Sequence, residues 1–298
     1  MKRALILYND RAGHGRIARK IDAIAQIFVE GGYDAEVASI EFGCNPFDEP
    51  QHCAVDLVVV CGGDGTVNYI LNAMKAHALD LTLGIIPAGT ANDFAGAIGM
   101  RKGLLKAARQ IVAGRAERLD CARVNGLYFI NIFSFGLFTT TSQHTPDALK
   151  HTLGKAAYII EGSKELHHSE YIPLHITHDG GEEQTEALIV LVFNGETAGQ
   201  FRLAREASVR DGVLDVLIMS RCNILDSARA MLMFLLNGKP NAAIKHIRTS
   251  HIEMRSPLNP PTDMDGQKSA EFPLSIECIA GGVSVVCPCN NSADDDEE

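Results

Sequence analysis

Gly62, Gly63, Asp64, Gly65 and Thr66 constrain this chain more than any other stretch. They follow an unbroken apolar run at 57–61 and precede Val67, Ile70, Leu71 and Met74 at helical spacing. A short apolar run reads as a buried strand, and the 3–4 spacing reads as a helix with one buried face. The segment is therefore strand, glycine turn, helix. Glycine lets the backbone approach a ligand closely and take up positive φ. The helix N-terminus adds unpaired N–H groups and the positive end of a dipole, which suits a phosphate. Asp64 inside the turn can hold a metal-bound water. The pattern points to a nucleoside triphosphate with Mg²⁺, against the competing reading of an ordinary glycine-rich βα turn.

A second segment repeats the arrangement. A short apolar run at 83–86 leads into Pro87, Ala88, Gly89, Thr90, Ala91, Asn92, Asp93 and Phe94. Gly89 permits close approach and Thr90 offers a hydroxyl to a phosphate. Asn92 or Asp93 can cap the helix that follows. Two such turns lie at one edge of a parallel sheet, where open α/β folds bind ligands.

Strands alternate with helices over residues 1–118, which predicts an α/β domain with a parallel sheet. Residues 119–289 are dominated by strand-like runs, with helical segments near 148–166 and 224–237, and read as a β-sandwich domain. Residues 290–298 form a polar, acidic tail that reads as disordered. The chain of 298 residues, 46% of them hydrophobic, is long enough for two modest domains.

Net charge is −10, five of it from Asp294, Asp295, Asp296, Glu297 and Glu298. This balance argues against nucleic acid and against simple adhesion to an anionic membrane. The eight cysteines show no CxxC repeat, and with no signal-peptide pattern they suit a reducing cytoplasm. No run approaches the ~20 apolar residues of a spanning helix. The richest, 230–236, reads mainly as a core or interdomain helix, with a lipid-facing surface as the alternative. The histidines lack the spacing of a metal site.

Taken in order along the chain, the motifs resemble the diacylglycerol kinase catalytic-domain superfamily, in its bacterial soluble lipid-kinase branch. Asn9 to Gly13, Gly62 to Tyr69, Pro87 to Asp93, Asp211 to Val216, and Asp265, Gly266 and Gln267 carry the resemblance. It implies a Rossmann-like nucleotide domain, a β-sandwich domain and an active-site cleft between them. It also implies ATP and Mg²⁺ as cofactors and a membrane lipid as acceptor. The enzyme would work from the cytoplasm, peripheral at the inner face of the membrane and without a transmembrane segment, and sheet domains of this type often pair as homodimers.

The candidate nucleotide residues are Asn9, Gly13, Ser39, Gly62, Gly63, Asp64, Gly65, Thr66, Asn68, Gly89, Thr90 and Asp93. Ser39 and Asn68 enter through the resemblance. Asp64 is the expected Mg²⁺-associated carboxylate, which Asp93 either supports or leaves in order to cap a helix. By resemblance, the carbonyls of Ser208 and Val213 and the carboxylate of Asp211 form a structural Mg²⁺ site. The competing reading is a plain Asp-Gly turn. Asp265 is the candidate general base, with nearby Asp263 as a carboxylate that could raise its proton affinity.

Gln267 departs from the family's glutamate at that position, and an amide accepts no proton at neutral pH. Tyr69 stands where the family often has Glu. Phe133, Phe135, Leu137, Phe138 and the 231–236 run are candidates for an apolar acceptor pocket. The leading expectation is a lipid kinase acting on diacylglycerol or a related hydroxyl-bearing lipid. The alternatives are a weakly active pseudokinase that binds nucleotide and lipid, and an NAD kinase, whose glycine/serine-threonine turn is missing here. A nicotinamide oxidoreductase is weaker still, since no GxGxxG follows a strand.

Overall fold

The computed structural model describes residues 1–10, 15–137, 171–199, 201–220, 233 and 243–289. They form two units: Met1–Leu119 with the stretch from Val283 onward, and Asp120–Gly282. The return of 283–289 to the first unit differs from the sequence division, which assigned it to the second.

The first unit contains β1 (Lys2–Tyr8), α1 (Ile21–Glu30), β2 (Tyr33–Ser39), β3 (Leu57–Gly62), α2 (Asp64–Ala76), β4 (Thr82–Pro87), α3 (Asp93–Ala97) and α4 (Leu104–Ala113). β1 pairs in parallel with β2 and β3, and β3 pairs in parallel with β4. Val58, Val59 and Val60 are fully buried, as are Leu5, Ile6 and Leu7. Strands covered on both faces carry continuous apolar runs rather than alternation. Each such side chain contributes roughly 1.5–3 kcal/mol by leaving water. Two short 3₁₀ helices, Pro46–Asp48 and Pro50–Ala54, fill the connection before β3. The sequence reading did not anticipate them.

The chain continues through β5 (Arg115–Val124), β6 (Leu127–Phe129), β7 (Ile132–Gly136), β8 (Ile172–His178), β9 (Gly181–Phe193), β10 (Thr197–Ala198), β11 (Phe201–Arg202), β12 (Leu214–Ser220), β13 (Ile244–Thr249), β14 (His251–Arg255), β15 (Thr262–Met264), β16 (Gln267–Lys268) and β17 (Leu274–Cys287). β9 is the spine of the second unit. It pairs antiparallel with β8 through 181–187, with β7 through 189–193, and with β12 on its other edge. Alternation along β12 sends Val216 and Ile218 into one apolar cluster, with Phe133, Phe135, Val190 and Ile276. Leu217 and Met219 enter a second cluster, with Leu188 and Phe193. The strand period of two thus covers both faces of the sheet. β13 had no counterpart among the expected strands. The apolar runs at 272–279 and 283–287, which the sequence reads as two strands, form the single strand β17, whose Ser284 and Val285 pair in parallel with Thr82 and Leu83 of β4.

The expected helices near 148–166 and 224–237, the 231–236 run apart from Met233, Phe138 and the tail lie outside the described residues. Among the described residues, no helix is long and apolar enough to cross a membrane.

Candidate active site

The two glycine turns meet backbone to backbone. A Cβ placed on Gly89 would lie 2.5 Å from the Cα of Gly63, and one on Gly63 would lie 3.0 Å from the Cα of Gly89. Real Cβ atoms do not approach to 2.5 Å, so Gly89 requires glycine for space, while at Gly63 a side chain would be tight against the facing backbone. The turns are also tied together, with Ala88 N–H donating to the Gly62 carbonyl at 2.9 Å. They follow the carboxyl ends of adjacent strands β3 and β4. Gly62 has a local reason of its own, since a Cβ there would meet Thr66 at 2.5 Å. Behind the turn, the buried Cys61 thiol is pushed up to about 12 by desolvation and stays protonated.

Asp64 is the first residue of α2, and its half-buried carboxylate reaches across to the second turn. Oδ2 accepts from Asp93 N–H at 3.1 Å and Oδ1 from Phe94 N–H at 3.0 Å. Asp64 therefore supplies the cap of α3. Asn92 occupies the N-cap position in the left-handed region, at φ 53°, and makes no side-chain bond to that helix. This corrects the expectation that the Asn92 side chain caps it. The Asn92 side chain folds back instead, accepting from Gly89 N–H and donating to the Gly89 carbonyl, each at 2.8 Å. It fixes the turn that Gly63 approaches. Asn tolerates this backbone region better than most residues, which was the one local signal for its role.

Asn9, just after β1, donates to Thr66 Oγ1 at 3.2 Å. Three consecutive strand ends of the parallel sheet thus contribute to one constellation, with Asn9 after β1, Gly63 to Thr66 after β3, and Gly89 to Asp93 after β4. Asp93 is buried, and Thr90 is exposed. Ser39 ends β2 and is also exposed. Asn68 is buried within α2, where it accepts from the Asn72 amide at 3.0 and 3.1 Å. Tyr69 clamps the loop after β2, with Oη donating to the Cys44 carbonyl at 2.7 Å and accepting from Gly43 N–H at 3.0 Å. Gly13 lies outside the described residues.

Around Asp64 the residues fit a triphosphate with its metal. Glycine backbone is open where a Cβ would intrude, and the carboxylate is held in place by the two N–H groups of α3.

In the second unit, Asp265 and Gly266 form the two-residue turn between β15 and β16, with φ of 50° and 87°. Positive φ at both central residues is the type I′ pattern that Asp-Gly favours. The Asp265 carboxylate accepts three backbone N–H groups, from Ile130 at 2.9 Å, Asn131 at 3.1 Å and Ile132 at 3.0 Å. Its lone pairs anchor the entry to β7. Asp263 is 5% exposed, and its Oδ1 accepts from Gly266 N–H at 3.0 Å. Gln267 is exposed. Phe133 and Phe135 are fully buried and Leu137 nearly so. Phe133 and Phe135 fill the sandwich core, which corrects the reading of them as acceptor-pocket residues, and Leu137 packs in the second apolar cluster.

Ser208, Asp211 and Val213 come together in one turn, where the Ser208 hydroxyl and both Asp211 carboxylate oxygens have protein partners. Ser208 Oγ accepts from Arg210 N–H at 3.3 Å, and Asp211 Oδ1 from Val213 N–H at 3.3 Å. Asp211 Oδ2 is bonded to Arg248 Nη2 at 2.6 Å. Mg²⁺ requires close, nearly octahedral oxygen ligation, and a guanidinium on the same carboxylate opposes a second cation. A divalent ion at this turn would have to share the Asp211 carboxylate with Arg248, which counts against the structural Mg²⁺ reading.

Asp120 was not singled out from the sequence. It is 4% exposed and accepts from Gly212 N–H at 2.7 Å and Gly281 N–H at 2.8 Å, holding the Asp211 turn. The sequence does little to distinguish it, because Arg115, Glu117, Arg118 and Arg123 also place charges on β5.

The comparisons agree with this geometry. Residues 3–124 match the diacylglycerol kinase catalytic domain family, and residues 132–287 match the YegS C-terminal NAD kinase beta sandwich-like domain. The chain is 31% identical to a diacylglycerol kinase of Bacillus subtilis (strain 168), covering 97% of both chains. It is 28% identical to a diacylglycerol kinase of Staphylococcus aureus (strain bovine RF122 / ET3-1), covering 96% of this chain and 93% of the other. A crystal structure of a diacylglycerol kinase from Bacillus anthracis str. Sterne superposes with a TM-score of 0.78 at 26% identity, over 96% of this chain and 97% of that one. The chain belongs to the diacylglycerol kinase catalytic-domain superfamily of bacterial lipid kinases.

Proposed function

We propose that this chain is an ATP- and Mg²⁺-dependent lipid kinase that phosphorylates the hydroxyl of diacylglycerol or a related membrane lipid. The observation that carries the reading is the contact of the Gly63 and Gly89 turns at adjacent strand ends, cross-braced by Asp64. Phosphoryl transfer demands positioning and charge neutralisation more than covalent help. Gly62 to Thr66, Asn9 and Thr90 would hold the triphosphate, and Asp64, with Asp93 beside it, would hold the metal. Mg²⁺ bound there would neutralise charge on the phosphate oxygens.

In the reaction the lipid hydroxyl oxygen bonds to the γ-phosphorus, the bond to the β,γ-bridging oxygen breaks, ADP leaves, and the hydroxyl proton passes to a base. Access to such a lipid implies peripheral contact with a bilayer surface, on the cytoplasmic side where ATP is found. A homodimer is the assembly we propose.

One observation favours a second reading, a nucleotide- and lipid-binding protein of weak turnover. Asp265 spends its carboxylate on three backbone amides, and the Gln267 amide accepts no proton. The test is transfer of label from γ-labelled ATP to a lipid panel in mixed micelles, with and without Mg²⁺, beside Asp64→Asn and Gln267→Glu. Label in one lipid class, dependent on Mg²⁺ and lost in Asp64→Asn, supports the kinase. ATP binding with no transfer, converted to turnover by Gln267→Glu, supports the second reading.

A further inference from the structure

The turn at 208–215 carries more negative charge than its surroundings ordinarily accommodate. Asp211 opens it and Asp215 follows on β12, while Asp120 grips Gly212 from below. Asp215 is fully buried, and its Oδ2 has no hydrogen-bond partner among the described residues. Its Oδ1 meets His246 Nε2 at 2.5 Å. A buried carboxylate needs a compensating charge close by.

That charge comes from across the β12/β13 ladder, where Arg248 is the direct antiparallel partner of Asp215. The guanidinium spans both acids, with Nη2 2.6 Å from Asp211 Oδ2 and Nε 3.6 Å from Asp215 Oδ1. A planar fork with several donors suits two carboxylates at once, as a lysine ammonium does not. Asp211 also caps its own turn through Val213 N–H, and Gly212 stands at φ 72°, so the loop is already closed by protein groups.

We propose that Arg248 supplies the positive charge at this turn in place of the divalent cation that the family resemblance implies, so that the Asp211 turn of this chain folds without metal. The role is structural, and the inference does not depend on the kinase reading.

The test is thermal unfolding of the nucleotide-free full chain after EDTA treatment, with and without millimolar Mg²⁺. Wild type, Arg248→Met, Arg248→Lys and Asp211→Asn are compared. The wild-type midpoint should be indifferent to EDTA and to Mg²⁺. Arg248→Met should melt lower by about 2–4 °C and regain part of that loss with Mg²⁺, now that the paired carboxylates face no resident cation. Arg248→Lys should retain most of the wild-type midpoint. A wild-type midpoint that falls in EDTA and recovers with Mg²⁺, with the response abolished by Asp211→Asn, overturns the proposal. The wild-type arm decides the matter even if Arg248→Met does not fold.

Discussion

The glycine turns of the first unit and the Asp-Gly turns of the second use the same two residue types for opposite purposes. At Gly89 glycine is needed for space, and at Gly63 space is tight, because two backbones meet where a Cβ would stand. At Gly212 and Gly266 it is needed for conformation, with φ of 72° and 87°. The aspartates differ in parallel. Asp64 joins one turn to the next helix, whereas Asp265 gives its carboxylate to three amides of one strand entry. The first arrangement leaves backbone open for a ligand, and the second closes it. A glycine beside an aspartate therefore says little about function until its neighbours are known.

The contrast breaks most visibly at Asp265. Asp265→Ala strands three N–H groups, and at about 1–3 kcal/mol for an unsatisfied buried donor the loss should reach at least about 3 kcal/mol in urea unfolding. A variant with unchanged stability and abolished transfer would instead make Asp265 a catalytic base. Gly89→Ala should cost about 1–3 kcal/mol by overpacking and weaken ATP binding at least about tenfold in calorimetry. Gly266→Ala should cost about 1–2 kcal/mol from its positive φ and leave ATP affinity unchanged. If both variants lower ATP affinity equally, the distinction between the two kinds of turn fails.

Asp64→Asn retains an acceptor for one of the two N–H groups, so about 1 kcal/mol of stability should be lost, with label transfer falling far more.

A smaller effect concerns acid stability. Hydrogen bonds from Ser250 and Thr249 hold the Asp179 carboxyl at about 2, below its usual range. Its folded value is depressed, so its contribution is fully present above about pH 4 and lost as pH falls toward 2. Asp179→Asn should flatten the pH dependence of the melting midpoint in that window. The least effect should be at Cys61. Its buried thiol, raised to about 12, should resist aromatic disulfide reagents in the native protein while the exposed Cys44 and Cys289 react.

Much of the first unit could be read directly. The valine run of β3, the helical spacing of α2 and the glycines between them are local signals, and the folded unit uses them locally. The role of Asp64 was only half legible, because its partners, Asp93 and Phe94, lie about thirty residues on. Phe133 and Phe135 looked like lipid contacts because apolarity alone does not distinguish a core from a pocket. β13 escaped notice because Lys245 and Arg248 interrupt its apolar pattern.

The sequence by itself determined the two-part architecture and the strand–turn–helix units, since periodicity and glycine act within a few residues. Only the tertiary structure decided what each carboxylate holds. Asp64, Asp211 and Asp265 have equal chemistry in the sequence. What separates them is the company assembled by strand register: two amides from α3 at Asp64, a guanidinium from β13 at Asp211, and the 130–132 backbone at Asp265. Hydrogen bonds and ion pairs act over a few ångströms, and only the fold brings groups so distant along the chain within that range.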